Sequence, residues 1–270
     1  MTPALCAILF LMLLAVPLLI IFDGRNARKR QAYVVAKKCF DTYEVQYSAG
    51  EVEYREVSPI SFPELNVPFY EETTKTLEVA GFSQLGDVQN VFFANKAGFH
   101  TFTRVMVDES HTIIADFMDL YHPKSKHRPK VVDFTTEFDD GSFLETLNAN
   151  DGQKFCRPAQ MHSEYLPESS SAMEILRVHR ERLAEFLRCN PRAEPRLFGS
   201  IQDVIAALSR SRALRIACRR SLSSAEIKQE FLRLAEGRVN DPKLLADIAE
   251  EYEKLYKSRQ AKSQTGITPG

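Results

Sequence analysis

The sequence lacks the short motifs that mark the common nucleotide-binding and hydrolytic enzymes. It contains neither the Gly-x-x-x-x-Gly-Lys-Ser/Thr loop that cradles phosphates nor the Gly-x-Gly-x-x-Gly turn of dinucleotide-binding domains. The Gly-x-Ser-x-Gly turn of serine hydrolases and the His-Glu-x-x-His helix of zinc proteases are also absent. The residues therefore give no support for these enzyme classes, predict no cofactor and leave any catalytic residues unknown.

The chain also lacks an excess of one charge and a disulfide framework. Its 35 basic residues balance 36 acidic ones, so net charge gives no whole-chain attraction to nucleic acid. The cysteines number five, are far apart and include no Cys-x-x-Cys pair, which predicts reduced thiols. No Asn-x-Ser/Thr glycosylation acceptor is present.

Residues 2–22 form an uncharged apolar stretch at the start of the chain. As a helix this stretch measures roughly 31 Å, which matches the hydrocarbon core of a bilayer. It predicts an uncleaved transmembrane anchor, because the basic leader and small-residue cleavage site of a signal peptide are missing. The basic residues Arg25, Arg28, Lys29 and Arg30 follow directly and orient the predicted span. We therefore expect a single-pass membrane protein whose C-terminal domain is cytoplasmic.

The middle of the chain predicts a five-stranded antiparallel meander. Short connections rich in Gly, Asp and Asn separate β-rich stretches at residues 88–95, 99–108, 111–121, 130–139 and 142–148. In the fourth stretch Phe134 and Phe138 alternate with Asp133 and Glu137. This alternation predicts a sheet with one apolar face and one wet face.

Helical patterns surround these strands and predict an α+β fold. A helix over residues 69–80 and another after the capping-box serine Ser171 are expected to cover the apolar face. A second capping box at Ser223 opens a helical C-terminal part. The predicted organisation is a transmembrane anchor (1–22), a basic juxtamembrane segment (23–50), an α+β domain (51–190), a helical appendix (191–257) and a flexible tail (258–270).

Two candidate sites follow from histidine and cysteine positions. His122 and His127, with Asp119 nearby, have the residue types of a metal site, but three basic side chains interleave them, so no metal is predicted. Cys156 stands beside Arg157, which could lower the pKa of a nucleophilic thiol. The alternative is that Cys156 is a small buried hydrophobic residue.

The segment 188–222 has the strongest charge asymmetry, with eight arginines against two acidic residues. Arginine guanidinium groups suit phosphates, so the candidate anion-binding residues are Arg210, Arg212, Arg215, Arg219 and Arg220. The alternative is a solvated helix face that the acidic last helix neutralises.

These features favour a non-enzymatic, membrane-anchored cytoplasmic domain that binds a protein partner or a small ligand through its half-wet sheet. The bilayer would be contacted through residues 2–22. One alternative is an enzyme with an unrecognised site in the α+β domain. Another is a binder of anionic lipid or nucleic acid through the arginine-rich helix, with nucleic acid the less expected partner because aromatic residues for stacking are missing.

Overall fold

The fold is built on a seven-stranded sheet with helices on both faces. The computed structural model describes residues 24–47, 54–91, 101–121, 128–149, 157–236 and 239–264. The strands are β1 (Tyr54–Glu56), β2 (Phe82–Asn90), β3 (Phe102–Asp108), β4 (Ile114–Asp119), β5 (Lys130–Glu137), β6 (Phe143–Asn148) and β7 (Met161–Leu166). The α-helices of these residues are α1 (Gly24–Tyr47), α2 (Val67–Val79), α3 (Ala172–Cys189), α4 (Ile201–Ser221), α5 (Ser224–Ala235) and α6 (Pro242–Gln264).

The strands lie side by side in chain order, and the sheet is mixed. Every neighbouring pair from β1 to β6 is antiparallel, whereas β7 runs parallel to β6. The prediction of a five-stranded antiparallel meander was therefore wrong. The segment between β6 and β7, residues 149–160, has the length of about a dozen residues that a parallel connection needs.

Strand β2 begins six residues earlier than the predicted stretch 88–95. Gly81 turns the chain out of α2 with a φ of 89°, a conformation that a residue without Cβ adopts freely, and Phe82 starts the strand. The pairing with β3 shifts between Gln84 and Gly86, which marks a bulge. Residues 92–95 and 99–100 of the predicted strands lie outside the described residues.

Helices α2 and α3 cover the apolar face of the sheet, in agreement with the sequence. Phe134 of β5 is fully buried in a core that includes Tyr70 of α2 and Ile175 of α3. The Tyr70 hydroxyl donates to the carbonyl of Phe102 at 2.8 Å and accepts from the amide of Asp119 at 2.9 Å. These two bonds fix α2 against strands β3 and β4.

The opposite face was predicted to be wet, and this prediction was wrong because α4 covers it. Asp133 and Glu137 of β5 are 3% and 0% exposed. Val88, Val105 and Ile114 of the sheet share a core with residues of α4. The polar side chains of this face consequently lie between the sheet and α4.

The remaining helices form a second core beside the sheet. Apolar side chains of α1, α5 and α6 pack together with Leu222, which follows α4. The rings of Phe231 in α5 and Tyr252 in α6 stack with centroids 4.9 Å apart. At the start of α5, Ser223 and Glu226 form the predicted capping box, in which each side chain accepts a hydrogen bond from the other residue's backbone amide.

The membrane predictions need correction. From Gly24 onward, no helix that the structure describes combines the length and apolar character needed to cross a bilayer. Helix α1 has 24 residues but carries basic groups such as Arg28, Lys29 and Arg30. The predicted anchor, residues 2–22, lies outside the described residues. A single-pass membrane protein with a cytoplasmic C-terminal domain is therefore not supported.

Candidate functional site

Three carboxyl groups lie on the sheet face that α4 covers. They belong to Asp116 of β4, Asp133 of β5 and Glu145 of β6, and each is only 3–4% exposed. Asp116 and Asp133 are directly opposite each other in the antiparallel register. Directly opposed residues have their Cβ atoms about 5 Å apart. The two aspartates are thus close neighbours in a site with little access to water.

Glu145 has a complete set of partners. The Arg215 guanidinium donates to both carboxylate oxygens, at 2.7 and 2.5 Å, and the Ser163 hydroxyl donates at 2.7 Å. Burial alone raises the pKa of Glu145, but the charge of Arg215 and the hydrogen bonds from Arg215 and Ser163 bring it below the ordinary value. Glu145 is therefore ionised in the neutral range and its charge is neutralised by Arg215.

Asp116 and Asp133 have no such partner. Among the described residues, no arginine or lysine forms an ion pair with either aspartate, and Asp133 accepts only a 3.5 Å hydrogen bond from the Thr135 hydroxyl. Burial raises the pKa of Asp116 to about 7, with a further contribution from the charge of Glu145. Burial, followed by the charges of Asp116 and Glu145, raises the pKa of Asp133 well above its ordinary value, although the charge of Arg215 partly opposes this rise. The pair consequently retains protons that an exposed aspartate loses.

The aspartates line a cavity between the sheet and α4, which we call the acidic cavity. Its volume is about 40 Å³. One water molecule needs about 10–15 Å³ measured in this way, so the cavity accommodates about three waters or a ligand of similar size. Apolar side chains of the sheet and of α4 also line the cavity. They are Val88, Ile114, Met118 and Phe143 of the sheet and Ala207 and Leu208 of α4.

The structure places the candidate anion-binding arginines in several different settings. Arg210 donates to both oxygens of the fully buried Glu137 carboxylate at 2.7 Å. Arg215 binds Glu145, as described above, and Arg219 forms a buried ion pair with Glu230 of α5. The two remaining arginines differ in exposure: Arg212 is buried and Arg220 is exposed.

The orientation residues lie at the start of α1. Arg28 pairs with Asp247 of α6 at 2.7 Å, so this basic residue joins two helices. Lys29 and Arg30 are exposed. Arg25 belongs to α1, but its side chain lies outside the described residues.

The described part of the structure gives no support for a metal-binding or nucleophilic role of the histidine and cysteine candidates. His122, His127 and Cys156 lie outside the described residues. His179 is fully buried, and its ring nitrogens hydrogen-bond the hydroxyls of Thr136 and Thr146 at 3.1 Å. Across the described ranges, no group of three or more His, Cys, Asp or Glu side chains is arranged to hold a metal ion.

Sequence reasoning missed the acidic cavity. Asp133 and Glu137 lie four residues apart along one strand, which places them too far apart to act together. The real partner of Asp133 is Asp116, which lies on a different strand. The available signal was Asp116, the single aspartate inside the apolar stretch 114–118, a position where a strand covered on both faces seldom has an acid.

Comparison of the chain with protein-family models, with curated proteins and with solved structures finds no match.

Proposed function

We propose that this protein is a binding domain that holds a small ligand in the acidic cavity. The observation that carries the proposal is the pair Asp116 and Asp133, two buried neighbouring carboxyl groups with which no basic side chain of the described residues forms a salt bridge.

Such a pair is unfavourable for folding, which is why it supports a function. An ionised carboxylate loses several kcal/mol of hydration when it is buried without a partner. Other buried acids of this chain avoid that cost, since Glu137, Glu145 and Glu230 each face an arginine. Strongly perturbed carboxyl groups beside a cavity are a general feature of functional sites.

Two other binding modes receive less support. A protein partner cannot reach the polar face of the sheet directly, because α4 lies on it. Phosphate binding by the arginine-rich helix is disfavoured because Arg210, Arg215 and Arg219 already bind carboxylates of the same chain.

The enzyme alternative uses the same two residues. A carboxyl group with a pKa of about 7 is suited to donate and accept protons near neutral pH, and Asp116 meets this condition. A bound small molecule that is chemically converted would favour an enzyme, whereas one recovered unchanged would favour the binding domain.

The proposal can be tested by NMR on the full chain with a panel of probes of three or four heavy atoms: ethylammonium, ethanol, acetamide and acetate. At a ceiling of about −1.5 kcal/mol per non-hydrogen atom, ligands of this size bind at best with Kd between about 0.5 mM and about 40 μM, so titrations from the micromolar into the millimolar range are appropriate. We expect at least one probe to shift the amide signals of Asp116 and Asp133 saturably. Ala207→Leu should abolish the shift, because Ala207 lines the cavity.

Ala249→Leu is the matched control, because Ala249 is equally buried but belongs to the core of α1, α5 and α6. It should leave the titration unchanged. If no probe of the panel produces a saturable shift in the wild-type protein, the proposed function is wrong. If the shift persists in Ala207→Leu, the ligand binds elsewhere and the proposal is equally wrong.

A further inference from the structure

We infer that the ligand of the acidic cavity is a small uncharged primary amide, whose carboxamide group pairs with the carboxyl groups of Asp116 and Asp133. This inference rests on the proposed function and adds the chemical class of the ligand.

The first argument is that the chain itself supplies positive charge at the cavity. Arg215 pairs with Glu145, and its charge also lowers the pKa of Asp133. The charge of the chain's N-terminal amine lowers the pKa of both aspartates. The site therefore needs no further cation, and a charged ligand would lose its hydration in a place with little access to water.

The groups around the cavity are mainly uncharged at slightly acidic pH. Burial has the largest effect on Asp116 and raises its pKa to about 7, so this carboxyl group is about nine-tenths protonated at pH 6. Tyr54, which also lines the cavity, stays neutral because burial raises the pKa of its hydroxyl. Tyr165 stays neutral as well, because burial raises its pKa to about 12. Neutral hydrogen-bonding groups favour a ligand that is itself neutral.

The second argument is the unused hydrogen-bonding capacity of the two aspartates. Asp116 is 4% exposed and lines the cavity, yet no described residue forms a hydrogen bond with its carboxyl group. Within the same described ranges, Asp133 has only the 3.5 Å hydrogen bond with the Thr135 hydroxyl. Both carboxyl groups can therefore bind a polar ligand without losing a strong hydrogen bond inside the protein.

A primary amide matches these two groups in its donors and acceptors. A protonated carboxyl group presents an O–H donor beside an acceptor oxygen, and a carboxamide presents an acceptor oxygen beside an N–H donor. Two hydrogen bonds can therefore join the amide to one aspartate. The second N–H of the amide remains for an oxygen of the other aspartate, which lies directly opposite in the register of β4 and β5.

The third argument comes from size and wall chemistry. The volume of about 40 Å³ limits the ligand to a few non-hydrogen atoms, as in acetamide. Ile114 and Leu208 line the cavity and offer apolar contacts for a methyl group. A carboxylate or phosphate ligand would instead place a further negative charge beside the ionised Glu145 and the two aspartates.

The test is an NMR titration of the full chain at pH 6 and constant ionic strength, followed at the amide signals of Ile114 and Leu208. The probes are acetamide, ethanol, acetate and ethylammonium. We expect saturable binding of acetamide and binding of ethanol that is at least about threefold weaker, because ethanol forms fewer hydrogen bonds. The two ions should bind at least about tenfold more weakly than acetamide, because each loses its hydration in the cavity.

Two substitutions of Asp116 separate hydrogen bonding from charge. Asp116→Leu removes the donor and the acceptor and should weaken acetamide binding at least about tenfold. Asp116→Asn restores a donor and an acceptor without an acidic group, so it should recover acetamide binding to within about threefold of the wild-type protein. Glu181→Leu is the matched control, since Glu181 is an exposed acid on α3, and it should leave the titration unchanged. The amide spectra verify that each variant folds; if Asp116→Leu does not, the order of the probes and Asp116→Asn decide the question.

The outcomes separate this inference from the proposed function. If ethanol, acetate or ethylammonium binds in the cavity as tightly as acetamide, the amide class is wrong and the binding domain stands. Loss of acetamide binding in Asp116→Asn, or its persistence in folded Asp116→Leu, also overturns the amide pairing. If no probe binds in the cavity, both ideas are wrong.

Discussion

Substitution of Asp116 by Asn should change how the stability of this protein depends on pH. Burial raises the pKa of Asp116 from 3.8 to about 7, so the folded chain holds a proton that the unfolded chain releases. Between these two values the folded state binds more protons, and the free energy of unfolding falls as pH rises. A difference of about three pKa units corresponds to about 4 kcal/mol.

Asn is close in size to a protonated aspartic acid but cannot ionise. At pH 4.5, where the unfolded aspartate is already mostly ionised, the Asp116→Asn variant should be more stable than the wild-type protein by only about 1 kcal/mol. At pH 8.5 the variant should be more stable by up to about 4 kcal/mol, because it avoids an ionised carboxylate in a buried site. Because the charge of Asp116 also raises the pKa of Asp133, the comparison measures the contribution of Asp116 within the pair.

The assay is urea unfolding followed by circular dichroism at intervals between pH 4.5 and 8.5, with the slope against urea compared at each pH. Glu181→Gln serves as the control, because Glu181 is exposed and its substitution should leave the pH profile parallel to that of the wild-type protein. If the profiles of Asp116→Asn and wild type are also parallel, Asp116 does not titrate in the buried pair and the electrostatic reasoning fails.

Three further outcomes are expected from buried groups elsewhere in the chain. Glu230→Gln should destabilise the protein by about 3–5 kcal/mol in urea unfolding, because it leaves the buried charge of Arg219 without its partner; a loss below about 1 kcal/mol would contradict this. Burial lowers the pKa of His179 to about 3, so its NMR ring signals should not titrate between pH 5 and 8, and a midpoint near 6.5 would refute the buried neutral ring. Burial also raises the pKa of Cys39 to about 12, so a thiol reagent should modify the exposed Cys189 in the folded protein and Cys39 only after unfolding; equal rates would disprove this order.

Local signals in the sequence predicted where α3 and α5 begin, although they did not predict α1 or the extension of α6 to Gln264. Ser171 and Ser223 each accept a hydrogen bond from the backbone amide three residues later, as their spacing to a glutamate indicated. Gly81 ends α2 and adopts a positive φ. Each of these features depends on residues within one turn of each other, and for that reason one sequence was enough.

The extent of the sheet depended on longer-range contacts. Strand β7 pairs with β6 through a parallel connection, and its sequence, Met161–Leu166, has only a weak alternation of apolar and polar residues. Neither the pairing of Asp116 with Asp133 nor its burial follows from the pattern of one strand. The register of β4 against β5 decides the pairing, and α4 decides the burial.

The polar face of β5 shows why alternation was misleading. Asp133 and Glu137 indicate a solvent-exposed face only if solvent, and no other part of the protein, lies against that face. Here α4 carries arginines along its length, so a strand acid such as Glu137 meets a guanidinium instead of solvent. A charged helix can thus cover a charged sheet face. The polar residues of each element, considered separately, then suggest a solvent-exposed surface although they are buried against each other.

This matching of charges also locates the candidate site. Three arginines of α4 form ion pairs with buried glutamates. Arg210 and Arg215 pair with glutamates of the sheet, and Arg219 pairs with a glutamate of α5. Asp116 and Asp133 lie on the same sheet face, but no arginine of α4 pairs with them in the described structure. Each of these buried glutamates therefore has an arginine partner. The two aspartates lie where the sheet and α4 leave a cavity, and no described arginine forms a salt bridge with them. A ligand that binds these two carboxyl groups would complete the pattern that the arginines establish, and this is the physical reason for proposing the binding site there.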